Sequence, residues 1–104
     1  MVDFYRFKQF ENYPECIHAV STKLVSEPYG FSLALHTGED KASIIDNRKK
    51  VSSLLALSDD LHFIVANQTH SDHIKVITEK ETKGWERIED AVVDCDALIT
   101  NKKV

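Results

Sequence analysis

The chain has 104 residues, 42% of them apolar and 29% charged, with a formal net charge of −4. That length admits one domain, which buries only ~60–65% of its unfolded surface, and the composition excludes a disordered chain. The thirteen Lys and Arg are scattered apart from Arg48-Lys49-Lys50, so there is no basic stripe for nucleic acid, and the apolar runs are too short to span a membrane.

Residues 4–10 are aromatic-rich and read as a first strand of imperfect alternation. Residues 16–21 read as a second, set apart by the turn residues Asn12 and Pro14. Glu27-Pro28-Tyr29-Gly30 is a turn. Ser32-Leu33-Ala34-Leu35-His36 is a short extended run closed by Thr37-Gly38. A helix starts near Asp40, whose carboxylate can accept from the free N–H groups of the first turn. Ile44, Arg48, Val51, Leu54 and Leu55 recur at helical spacing and give it an apolar stripe, which fades near residues 57–60.

Residues 61–66 read as a buried strand and residues 73–78 as another. The charged stretch 80–90, with Gly84 and Trp85, reads as a surface excursion, and residues 96–100 form a last strand. Several strands around one helix predict an α/β domain of the α+β type, a mixed sheet with at least one flanking helix. Asn101-Lys102-Lys103 looks like a turn into a further element. Residues 1–104 are therefore expected to be the incomplete N-terminal portion of a larger single domain.

The N-terminus lacks the basic and apolar regions of a signal peptide, so the cytoplasm is the expected compartment. In that reducing setting Cys16 and Cys95, isolated and without metal-finger spacing, read as small buried apolar residues. The segment Asn67-Gln68-Thr69-His70-Ser71-Asp72-His73 carries more chemistry. It places His70 just after an apolar run, where a histidine can reach a pocket as a metal ligand or proton carrier. His70 and His73 are three apart and would share one face in a helix, but the preceding strand does not assure a helix there. The plainer reading makes His73 a surface residue that opens the next strand.

Asp94 and Asp96, two apart, would share a strand face, and one could have a raised pKa beside the other. The stronger expectation is that one is solvated while the other ties down a turn through backbone amides. Arg48 falls on the apolar stripe, where it either snorkels outward or turns its guanidinium into a cleft to bind an anion. No glycine-rich phosphate loop, nucleophile elbow or metalloprotease helix motif is present.

Five segments together resemble one family. They are His18-Ala19-Val20-Ser21-Thr22-Lys23; Tyr29 with Ser32-Leu33-Ala34-Leu35-His36-Thr37-Gly38-Glu39-Asp40; Asn47-Arg48; Gln68-Thr69-His70; and Asp94-Cys95-Asp96-Ala97-Leu98-Ile99-Thr100. In order and spacing they resemble the laccase-domain family, whose members are also labelled polyphenol oxidase, peptidoglycan-editing factor and purine nucleoside phosphorylase. The resemblance implies a mixed α/β fold and a metal site of one cysteine and two histidines. His70 matches the first histidine, as metal ligand and catalytic residue.

The family's cysteine and second histidine lie in Thr-Ala-Asp-Cys and His-Ala-Gly-Trp segments of its C-terminal half, which this sequence does not contain. Cys95 sits in the strand motif and does not replace that cysteine. Leu24-Val25 stands where the family often has paired glycines, Ala34 where asparagine is common, and Ser71 where glycine is common.

The resemblance implies zinc, with copper possible, and purine nucleosides with phosphate as substrates. The reactions are phosphorolysis of adenosine, inosine or guanosine and deamination of adenosine. Arg48 is the candidate for the phosphate. The 104-residue chain alone, with one of three ligands, is expected to be inactive. Copper-dependent polyphenol oxidation and editing of peptidoglycan precursors are alternatives under the same resemblance; multicopper chemistry needs more histidines than the five scattered here. A non-catalytic binding domain or a remnant is the alternative of another class. Apolar surface left by a missing half is expected to promote association.

Overall fold

The computed structural model describes residues 3–102. Strand β1 (Phe4–Tyr5) pairs antiparallel with β2 (Val20–Ser21), Phe4 opposite Ser21 and Tyr5 opposite Val20. Both are shorter than the sequence suggested. Lys8–Phe10 coils into a 3-10 turn instead. There the rings of Phe7 and Phe10 pack on His18, and the Phe7 N–H donates to His18 Nε2 at 2.8 Å. The aromatic run therefore wraps a histidine rather than extending a ladder. Cys16, expected to be buried, is exposed in the loop before β2.

After β2 the chain closes a loop in which Leu24 N–H donates to Gly30 O at 3.0 Å. Tyr29, Gly30 and Phe31 there take φ of 54°, 65° and 68°. The extended run holds through Ala34, and Leu35–Thr37 then turns as a 3-10 helix ending at Gly38.

Helix α1 (Lys41–Leu54) starts as predicted, with Asp40 accepting from Ser43 N–H at 3.2 Å. Its buried face is Ile44, Asn47 and Arg48, at 0%, 2% and 5% exposure. The expected apolar stripe erred at Leu54, which is 52% exposed, and overlooked Asn47. This helix buries polar groups because neighbouring loops offer carbonyls to bind them: Asn47 Nδ2 donates to Pro28 O and Ser32 O, both at 3.0 Å. The helix ends before the predicted 57–60, and Ala56 takes a left-handed φ of 52° just after it.

Residues 61–66 are extended and half-buried, but they form isolated bridges rather than the buried strand expected. Ile64 bridges Lys83 and Ala66 bridges Val92, both in parallel. Val65 N–H donates to Lys83 O at 2.8 Å and Val65 O accepts from Val92 N–H at 3.0 Å, so two later segments share this one stretch of backbone. The 80–90 stretch is consequently more than a surface excursion. Gly84 is buried with φ of 74°, and Trp85 stacks on Phe63 with ring centroids 4.1 Å apart.

Strands β3 (Ile74–Ile77) and β4 (Ala97–Thr100) fall where predicted and pair in parallel, Ile74 opposite Ala97 and Val76 opposite Ile99. Cys95 beside β4 is fully buried, as expected, with Sγ 3.7 Å from Val92 O. Asn101 and Lys102 bend away from β4; Lys103, the third residue of the expected turn, lies outside the described residues. The fold is mixed α/β, and its antiparallel and parallel pairings are carried by two separate two-stranded sheets. Among the described residues no helix is long and apolar enough to cross a membrane.

Candidate functional site: a cleft beside the His70 turn

A cleft of about 600 Å3 is lined by residues 21–23, 30–36 and 64–68, with Arg48 and Ile88. Segments far apart in sequence meet here because β2 delivers the first, the 24–30 loop turns the second back against α1, and the bridged stretch carries the third across the middle. Four of the five segments marked in the sequence contribute to its wall: Ser21-Thr22-Lys23, Ser32 to His36, Arg48 and Gln68. The volume lies within the range of small-molecule sites.

Arg48 does not snorkel. Its Nε donates to Leu33 O at 2.8 Å, and Nη1 donates to Gly84 O at 2.5 Å and Trp85 O at 2.7 Å. The guanidinium carbon lies 5.4 Å from the centroid of the Trp85 ring. Burial pushes the Arg48 pKa down from the usual guanidinium value. Three of its five N–H groups are thereby engaged, so Arg48 tethers residues 33, 84 and 85 to α1 while forming part of the cleft wall.

His70 lies two residues past Gln68, at the exposed turn leading to β3. Its φ of 60° is uncommon for a residue with a Cβ and is imposed from outside. Asp96 supplies the constraint. Its Oδ1 accepts from His70 N–H at 3.1 Å, and Oδ2 accepts from Ser71 N–H at 2.6 Å and the Ser71 hydroxyl at 2.8 Å. Asp94 grips the flanks: Oδ1 accepts from the Thr69 hydroxyl at 2.7 Å, and Oδ2 lies 3.1 Å from His73 Nδ1.

The Ser71 amide bond is the main cause holding the Asp96 carboxyl below its usual range, and the Thr69 hydroxyl bond does the same for Asp94. These directions oppose the raised pKa weighed from sequence. The plainer expectation holds: Asp94 is 59% exposed to solvent, and Asp96 ties down the turn through the His70 and Ser71 amides. Residues 67–73 form no helix, and the His73 ring is committed to Asp94, so the two histidines do not share a helical face.

Among the described residues no three His, Cys, Asp or Glu side chains form a group that could hold a metal ion. A zinc site takes three or four protein ligands, and His70 by itself does not complete one. Sequence reasoning marked Lys23 and Asn47 only as parts of larger segments, and it missed the burial of Asn47 and the carbonyls of Gly84 and Trp85. For Asn47 a signal existed, since an amide at helical spacing between Ile44 and Val51 falls on the buried face.

The profile of the family described as multi-copper polyphenol oxidoreductase laccase matches residues 17–104. A purine nucleoside phosphorylase of Corynebacterium glutamicum is 32% identical over 77 residues, 73% of this chain and 29% of the relative. The crystal structure of the hypothetical protein YfiH from Bacillus licheniformis superposes with a TM-score of 0.71 at 31% identity, over 81% of this chain and 33% of that one. That of YlmD from Geobacillus stearothermophilus gives 0.63 at 25% identity, over 69% and 27%. This chain thus spans about a third or less of the length of these relatives. With most of its length inside the profile, it belongs to the multi-copper polyphenol oxidoreductase laccase family.

Proposed function

We propose that this chain supplies part of the substrate cleft, and one metal ligand, of a purine nucleoside enzyme. The observation that carries the reading is the convergence of separate sequence segments on one cleft next to the constrained His70 turn. The identity with a purine nucleoside phosphorylase supports the substrate class. In phosphorolysis an oxygen of phosphate bonds to ribose C1′ as the bond from C1′ to the base nitrogen breaks. The base leaves with the electron pair and takes up a proton, giving free purine and ribose 1-phosphate. Deamination of adenosine exchanges its C6 amine for the oxygen of water and releases ammonia.

Zinc, with copper as the alternative, would supply an acidified water or a polarised oxygen when bound. His70 alone does not hold such an ion, so this chain's own contributions are binding and orientation, with the remaining ligands coming from outside it. Arg48 fixes the cleft wall through three of its five N–H groups. Nucleoside and phosphate are the partners in this reading, and the cytoplasm is the compartment. Oxidation of phenols is the second reading, favoured by the family to which the chain belongs.

The test assays the 104-residue chain and the product of its coding sequence read beyond codon 104. Each is given inosine or adenosine with phosphate, and separately a phenol with oxygen. The short chain is expected to turn over nothing. A longer product that carries the further cysteine and histidine is expected to release purine and ribose 1-phosphate, and to lose that activity in His70→Ala. Phenol oxidation without nucleoside turnover would establish the second reading instead. Inactivity of such a product on both substrates leaves a non-catalytic binding role.

A further inference from the structure

The cleft is electrostatically unlike the rest of the molecule. The chain carries 17 Asp and Glu against 13 Lys and Arg. The residues lining the cleft nevertheless include Lys23, Arg48 and His36 and no acid at all. A concave site that collects cations in an acidic protein is built for an anion. The two full charges there are not equivalent, because Arg48 already directs three N–H groups at backbone carbonyls.

Lys23 has no such commitment and makes no hydrogen bond or ion pair among the described residues. Glu27, the acid of its own loop, is taken by Lys50 Nζ at 2.6 Å. The Lys23 stem is nonetheless laid in place. A Cβ at Gly30 would come within 3.2 Å of Lys23 Cγ and 3.3 Å of Cε, so the stem runs flat across a glycine held at φ of 65°. The Leu24 N–H to Gly30 O bond closes the same loop. The loop thus guides the lysine while leaving its ammonium without a partner.

We infer that Lys23 is the phosphate-binding cation of this cleft, its ammonium contacting inorganic phosphate against the Ser21 and Ser32 side of the wall. The inference rests on the nucleoside reading for its substrate, but anion binding by Lys23 can be tested without it. It assigns Arg48 to holding the wall and Lys23 to holding the ligand. A lysine suits that task as a mobile point charge with three donors.

Lys23→Met keeps the stem against Gly30 and removes only the charge; Lys23→Arg keeps the charge. Lys49→Met, on the exposed side of α1, controls for net charge. In a phosphorolysis assay of the longer product that carries the further cysteine and histidine, the KM for phosphate is expected to rise about tenfold or more in Lys23→Met, the loss of one charge-assisted contact. It should be largely restored in Lys23→Arg and unchanged in Lys49→Met, with the KM for nucleoside little altered in all three. An unchanged phosphate KM in Lys23→Met overturns the assignment.

If that longer product phosphorolyses no nucleoside at all, the enzymatic reading is what has failed, and direct titration of the 104-residue protein with inorganic phosphate decides about Lys23. Amide NMR shifts at Ser21, Gly30 and Ser32 that vanish in Lys23→Met support it. Absent shifts, or equal shifts in both proteins, overturn it.

Discussion

Around Arg48 the chain satisfies its own buried groups, whereas along β3 and β4 it leaves an apolar face to water. On the first side, side chains of α1 bind carbonyls from three loops, and Phe63 covers Trp85. On the second, Ile74 and Val76 line one face with Ala97 and Ile99 across from them. Ile74, Val76 and Ile99 are 64%, 70% and 58% exposed. Parallel strands are ordinarily covered on both faces. The contrast teaches where this chain is self-sufficient: the scaffold that positions the cleft is internally closed, and the sheet after the His70 turn is not.

The strongest way to break that contrast is Arg48→Met, which leaves the carbonyls of Leu33, Gly84 and Trp85 without their donor. Several buried acceptors lost together should cost about 3–5 kcal/mol. Urea unfolding should show most of the domain's stability gone; a midpoint near the parent's would mean the tether is dispensable. Gly84→Ala attacks the same side by crowding. Its Cβ would fall 2.8 Å from Ala91 Cβ and 3.0 Å from Val65 Cβ, on a backbone already at φ of 74°. A loss of about 2 kcal/mol is expected in the same unfolding measurement.

The open side should respond differently. Val76→Lys with Ile99→Thr should change stability by no more than about 0.5 kcal/mol, since neither residue is packed within the chain. The parent chain is expected to associate with itself through this face, and light scattering should report less association in the double variant. A parent that stays monomeric at high concentration contradicts the idea that the face is sticky.

The His70 turn sits between the two regions and should show a small pH effect. Both Asp94 and Asp96 have pKa values lowered in the fold, so their stabilisation is fully present above the unfolded value of about 3.9. It is lost as pH falls through the lower folded values. Carboxyl NMR titration should place both midpoints below the unfolded value, and Thr69→Val should move Asp94 upward while leaving Asp96 in place. Midpoints at the unfolded value would show that the turn is not clamped as described.

The covered side was only partly legible in the sequence. Asp40 announced the helix start through its capping chemistry, and the β3 and β4 positions followed from their apolar runs. Spacing puts Asn47 and Arg48 on the buried face, but it does not reveal the carbonyls of residues 28–33 and 84–85 that accept from them and make that burial possible. For the same reason residues 61–66 looked like a ladder strand: their partners are single residues of two different segments. Of the site, His70, the segments near it and the turn-binding role of one aspartate could be marked, whereas which turn Asp96 holds required the register that sets β4 beside β3.

Residues 21–23, 30–36 and 64–68 line one cleft wall, proposed above to bind a nucleoside. The decisive measurement titrates the labelled protein with inosine in the presence of phosphate and follows its amide NMR shifts. Shifts are expected to concentrate in those three segments and at the Gln68-Thr69-His70 turn. Shifts confined to the β3–β4 face, or none at all, would contradict that proposal.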